Sequence, residues 1–138
     1  MKRVIDKTDR EIAAAILRTL ARHPDRYHSF CLSTAYEYDI NFLGAVADAL
    51  NATKVDSKRF LRKLSSVCRR LENAGVLYGR VSSCHAEYIG EPRVLKSYQF
   101  ADAAYACRLA PERHPHYKPM GGEDVELSIL LDYAYPES

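Results

Sequence analysis

KVDSKRFLRKLSSVCRRLENAGVLYGRV, residues 54–81, is the stretch whose reading decides the fold. Its first part carries seven Lys or Arg (Lys54, Lys58, Arg59, Arg62, Lys63, Arg69, Arg70) against one acid, Asp56, over residues 54–70. That is a local charge of +6 on a chain whose formal total is +2. Phe60, Leu61, Leu64, Val67, Cys68 and Leu71 recur at helical spacing, so a helix is expected from about Ser57 to Ala74 with Asp56 as its cap. Gly75 suits the left-handed residue that ends a helix. Val76, Leu77 and Val81 then open a strand, and Arg93–Phe100 supplies a second one.

Working outward, Thr8-Asp9-Arg10-Glu11 reads as a capping box ahead of an apolar stripe at Ile12, Ala15, Ile16 and Leu20. That first helix should stop near Arg22, because the residue before Pro24 is pushed out of the helical region. Residues 24–38 fit either a short strand or a short helix. Asp39 or Asn41 can cap a second helix through about Leu50, and Asn51-Ala52-Thr53 reads as a turn. A polar loop is expected over Cys84–Pro92, with part of a strand at Ala86–Ile89 as an alternative within it. Asp102–Leu109 suggests a short helix, the Pro- and Gly-rich 111–122 a loop, and Glu123–Tyr133 a last helix. Its apolar anchors would be Val125, Leu127, Ile129, Leu130, Leu131 and Tyr133.

This order resembles the winged helix-turn-helix class of small transcriptional regulators. The resemblance is carried by Leu61-Arg62-Lys63-Leu64 through Arg69-Arg70-Leu71-Glu72-Asn73-Ala74-Gly75-Val76-Leu77, a basic helix followed by Leu-Glu-x-x-Gly and a hairpin. It implies an α+β fold: a three-helix core with a β-hairpin wing over residues 1–100, and an extra C-terminal helix in 101–138 that packs on the same core or forms a dimer contact. It also implies double-stranded DNA as the partner, with the N-terminal half of the helix at 57–74 entering the major groove. The expected contacts are Ser57, Lys58, Arg59, Arg62 and Lys63 on base edges or phosphate, and Arg69 and Arg70 on phosphate or on acids of the protein itself. Arg80, Arg93 and Lys96 flank the wing. Lys and Arg also populate solvated helix faces, so a protein-interaction module or a nonspecific nucleic-acid binder is the competing expectation.

The charge is uneven. Residues 111–138 hold two basic and six acidic groups, an arrangement that steers a polyanion to the opposite side. No apolar run reaches the roughly 20 residues that span a bilayer. The N-terminus lacks an apolar signal core, which makes the cytoplasm the expected compartment and Cys31, Cys68, Cys84 and Cys107 expected free thiols. Ten tyrosines and no Trp fit a half-wet core or interface better than a stacking platform. Cys84, His85, Cys107, His114 and His116 lack zinc-ligand spacing, and no phosphate-loop or dinucleotide motif is present. Cys31 with His28, or Cys84 with His85, makes only a thin nucleophilic pairing, and Glu123, Asp124 and Glu126 suit a helix start. The expectation is a binding protein with no cofactor, no metal, no catalytic residue and no membrane, acting as a possible homodimer.

Overall fold

The computed structural model describes residues 2–3, 7–22, 29–32, 37–53, 57–86, 91–110 and 123–137. Among them are five helices, α1 (Asp9–Arg22), α2 (Glu37–Ala49), α3 (Ser57–Asn73), α4 (Ala103–Leu109) and α5 (Glu123–Ala134). The strands are β1 (Lys2–Arg3), β2 (Ser29–Cys31), β3 (Ala52–Thr53), β4 (Leu77–Ala86) and β5 (Glu91–Phe100). The fold is thus α+β, with a three-stranded antiparallel sheet in the order β2-β5-β4.

Local chemistry starts and stops α1, α4 and the end of α3 close to where the sequence places them, whereas α2 begins at Glu37, so Asp39 and Asn41, expected as its caps, lie within the helix, and Asp56, expected to cap α3, lies outside the described residues. The Thr8 hydroxyl accepts from the Glu11 amide at 3.1 Å, and the Glu11 carboxylate accepts from the Thr8 amide at 3.0 Å. Two donors that the first turn cannot satisfy internally are thereby satisfied. Asp102 caps α4 by accepting from the Ala104 amide at 2.9 Å. At the end of α3, Gly75 adopts φ +81°, and the Val76 amide returns to the Leu71 carbonyl at 3.0 Å. A Cβ is costly in that backbone region, so glycine closes α3 and turns the chain into β4.

The core is built around α1. Ile12, Ala13, Ile16 and Leu17 are fully buried, because α1 packs against α2, α3, α4 and α5. Phe60, Leu64, Val67, Cys68 and Leu71 form the inward stripe of α3, as their spacing predicts. Leu127, Leu130, Leu131, Ala134 and Tyr135 join the same apolar cluster. Ile129 and Tyr133 do not, contrary to the expectation that both are anchors. They are 43% and 55% exposed. At about 100° per residue Ile129 and Tyr133 fall on the side of α5 opposite Leu127, Leu130, Leu131 and Ala134, which face the core.

β2 resolves part of the ambiguous segment as a strand. Phe30 pairs with Tyr98 across to β5 and stacks on Phe42 of α2 at 4.2 Å between ring centroids. The hairpin is longer than the sequence implies. β4 runs on through Ala86 and β5 begins at Glu91, so the stretch read as a Cys84–Pro92 loop is mostly ladder. Pro92 is tolerated in β5 because β2 reaches only Ser97–Gln99, leaving one edge of β5 open at that point. Ala52–Thr53, read as part of a turn, instead pairs in parallel with Lys2–Arg3, just after Asn51 at φ +51°. The Pro- and Gly-rich loop expected over 111–122, along with His23, His28, His114 and His116, lies outside the described residues. No helix among the described residues is long and apolar enough to cross a membrane.

Candidate nucleic-acid interface

Successive residues of an α-helix are turned by about 100°. On α3 this places Arg59, Arg62, Ser66, Arg69 and Asn73 within about 80° of arc, opposite the buried stripe. All five are exposed. The ridge contains three guanidinium groups, a hydroxyl and an amide, and no carboxylate. From Arg59 to Asn73 it runs about 21 Å along the helix axis.

The flanks of the ridge are tied to the rest of the molecule. On one side Lys63 pairs with Asp9, at the start of α1, at 2.6 Å. Further along that side Arg70 turns onto the end of α5. Its Nε donates to the Ala134 carbonyl at 2.7 Å, its guanidinium pairs with Glu137, and its Cζ lies 4.4 Å from the centroid of the Tyr135 ring. Arg10 reinforces the same corner by pairing with Asp132 at 2.8 Å. On the other side Glu72 accepts from Lys96 of β5 at 2.5 Å, while the Lys96 ammonium lies 5.5 Å from the Tyr98 ring centroid. Hydrogen bonding to Glu72 is the main reason the Lys96 ammonium is held above its usual pKa. The Glu137 carboxyl is held below its usual value, first by a backbone amide and then by Arg70.

Gly79 makes the wing's approach to α3 possible. A Cβ there would meet the Glu72 carboxylate and come within 2.5 Å of Lys96 Cε. Because side chains alternate along a strand, the next residue, Arg80, faces away from α3. The site residues read from the sequence therefore divide. Arg59, Arg62 and Arg69 share the open ridge. Lys63, Arg70 and Lys96 flank it in contacts within the molecule. Arg80 is exposed on the far face of the hairpin, beside Tyr78. Ser57 and Lys58 belong to the first turn of α3, and Arg93 pairs with Cys84 in the ladder, but their side chains lie outside those described. Ser66 and Asn73 were not singled out in the sequence. Their spacing from Arg62, four and eleven residues on, is the signal that places them on its stripe.

No protein-family model, no curated protein and no solved structure matches the chain. The interface is therefore judged on its own chemistry. Among the described residues no group of three or more His, Cys, Asp or Glu is placed to hold a metal ion. Cys68, on the inward face of α3, is fully buried, and burial, with a smaller contribution from Glu72, pushes its thiol far up. A thiol so protonated is a packing group rather than a nucleophile.

Proposed function

We propose that this protein binds double-stranded DNA sequence-specifically through α3 and acts as a transcriptional regulator of the winged helix-turn-helix kind. The observation that carries the reading is the Arg59, Arg62, Ser66, Arg69, Asn73 ridge: an exposed helix face rich in donors and free of carboxylates. Arginine forks match guanine edges and phosphates, and asparagine matches adenine. The chain order supports the same reading. From α1 the order is helix, strand, helix, the two-residue β3, helix and a two-stranded hairpin, with β2 on the hairpin's open side.

The mechanism is binding rather than chemistry. Arg59, Arg62 and Arg69 neutralise phosphates or read base edges, Ser66 and Asn73 supply uncharged donors, and the wing meets the neighbouring backbone. Lys63, Arg70 and Lys96 serve mainly to hold α3 against α1, α5 and β5. Two copies on half-sites about 34 Å apart would combine their affinities, and the exposed Tyr133 and Ile129 of α5 are the surface we assign to that pairing.

The test is selection of bound duplexes from a randomised library at about 0.05 and 0.15 M salt, with an Arg62→Glu/Arg69→Glu variant alongside. A recovered motif that the variant loses supports the reading. Binding without a motif reduces it to backbone contact. No binding at either salt refutes it and directs the search to an acidic protein partner. Sedimentation with and without the selected duplex reports the copy number.

A further inference from the structure

Ser66, Arg69, Arg70 and Asn73 are spaced i, i+3, i+4 and i+7 on α3, so one helix stripe presents all four. They form one wall of an open groove of about 600 Å³. The opposite wall is the end of α5 and the residues after it, Tyr133, Ala134, Pro136 and Glu137. We propose that this groove is a binding site for a phosphoryl oxyanion, and that the Glu137 carboxylate occupies part of it as an internal competitor.

Three observations support the assignment. First, Arg70 is already oriented. The Ala134 carbonyl and the Tyr135 ring fix its guanidinium, leaving the Glu137 side as the face on which an anion sits. An anion that takes that face meets a donor fork with little left to organise. Second, Glu137 is weakly held. Its side chain is 59% exposed and that of Arg70 43%, so their pair is of the surface kind that adds little stability. Third, the other acid lining the groove is already neutralised, since Asp9 is paired with Lys63. Once Glu137 swings out, the groove holds Arg69 and Arg70 with the Ser66 hydroxyl and the Asn73 amide between them. Two cations and two neutral donors along about 10 Å of one helix stripe present donors from several directions, which suits a tetrahedral oxyanion better than a flat carboxylate. The phosphoryl group can belong to a duplex backbone or to a free phosphate, and the site does not require DNA reading by the rest of the ridge.

The experiment is an NMR titration of the full chain, run separately with inorganic phosphate and with a short duplex. The proteins are wild type, Glu137→Gln, Arg69→Gln and Asp48→Asn. Asp48 lies exposed on α2, so its replacement makes the same change in net charge away from the groove. The expected result is movement of the Ser66, Arg69 and Asn73 amides and of the Arg70 Nε–H signal. Glu137→Gln tightens binding by roughly two- to fivefold, the worth of a surface pair, and Arg69→Gln weakens it. A gain seen with inorganic phosphate assigns the site to free phosphate groups, and a gain with duplex alone assigns it to the nucleic-acid backbone. Equal tightening by Asp48→Asn and Glu137→Gln, or shifts confined to other residues, overturns the proposal. Duplex binding that ignores Glu137→Gln, with no phosphate shifts in the groove, sinks the groove and leaves the DNA reading intact. Phosphate in the groove with no duplex binding does the reverse.

Discussion

Replacing Arg70 by alanine removes a side chain that joins α3 to the end of α5 through three kinds of contact at once. The hydrogen bond to the Ala134 carbonyl is short, at 2.7 Å, and charge-assisted. Such bonds contribute about 1.5–3 kcal/mol when well shielded, and a half-exposed one belongs at or below the bottom of that range. The guanidinium over Tyr135 adds about 0.5–1 kcal/mol. The Glu137 pair adds under about 1 kcal/mol at this exposure. The three share one guanidinium and do not simply add, so the expected loss is about 1.5–2.5 kcal/mol. In urea, with a slope of about 1–3 kcal/mol per molar, the unfolding midpoint should fall by about 1 M. Arg70→Lys should recover little of this, because an ammonium cannot serve the carbonyl, the carboxylate and the ring together. Arg62→Ala, on the exposed ridge, should stay within about 0.5 kcal/mol of wild type. If Arg70→Ala is as neutral as Arg62→Ala, Arg70 does not anchor α5 and the division between ridge and flanks is wrong.

Phe30→Ala should cost about 3–5 kcal/mol, because it empties the contact between β2, Tyr98 and the stacked Phe42 ring, and calorimetry checks it. Gly79→Ala should displace the flexible ends of Glu72 and Lys96 rather than the backbone, losing under about 1 kcal/mol; a cycle with Glu72→Gln should show that the two changes are not additive. Tyr135 is pushed up to about 12, chiefly by burial. Its phenol stays protonated in the folded state where a free tyrosine ionises, so its contribution is intact below about pH 10 and is lost as pH rises towards the folded value. Burial raises Tyr98 too, so phenolate absorbance should show Tyr135 and Tyr98 titrating late and joining the others on unfolding, with Tyr135→Phe removing one of the two. Glu137 behaves oppositely: its depressed pKa stabilises above the normal carboxylate range and is lost as pH falls, so acid should lower the melting temperature of wild type more than that of Glu137→Gln.

The parts of the fold legible in the sequence are those set by neighbours along the chain. The Thr8–Glu11 box, the α3 stripe and the Gly75 stop each depend on residues within one or two helical turns. Elements fixed by distant partners were not legible. β2 is three residues long, and only pairing with Ser97–Gln99 makes it a strand. The hairpin reaches Ala86 through Ser82, Ser83, Cys84 and His85, which carry little strand signal of their own and follow the register imposed by β5. On α3, charge counting picked out a basic helix and could not sort its cations. Whether an arginine faces solvent or a carboxylate depends on where α1, α5 and β5 arrive, and Asp9, Glu137 and Glu72 are 54, 67 and 24 residues from their partners Lys63, Arg70 and Lys96.

The hairpin's extra length changes its mechanics. Only Ser97–Gln99 of β5 has a strand on both sides, so beyond Val81 and Lys96 the ladder continues as a two-stranded arm. Its five further residue pairs reach about 17 Å at the usual rise per residue. Gly79, opposite Tyr98 and close to Glu72, lies just inside the three-stranded part, so the arm is rooted where the sheet meets α3. A tilt of about 10° at the start of the arm would carry its end through about 3 Å over such a length. The arm's aim therefore follows how its root is seated.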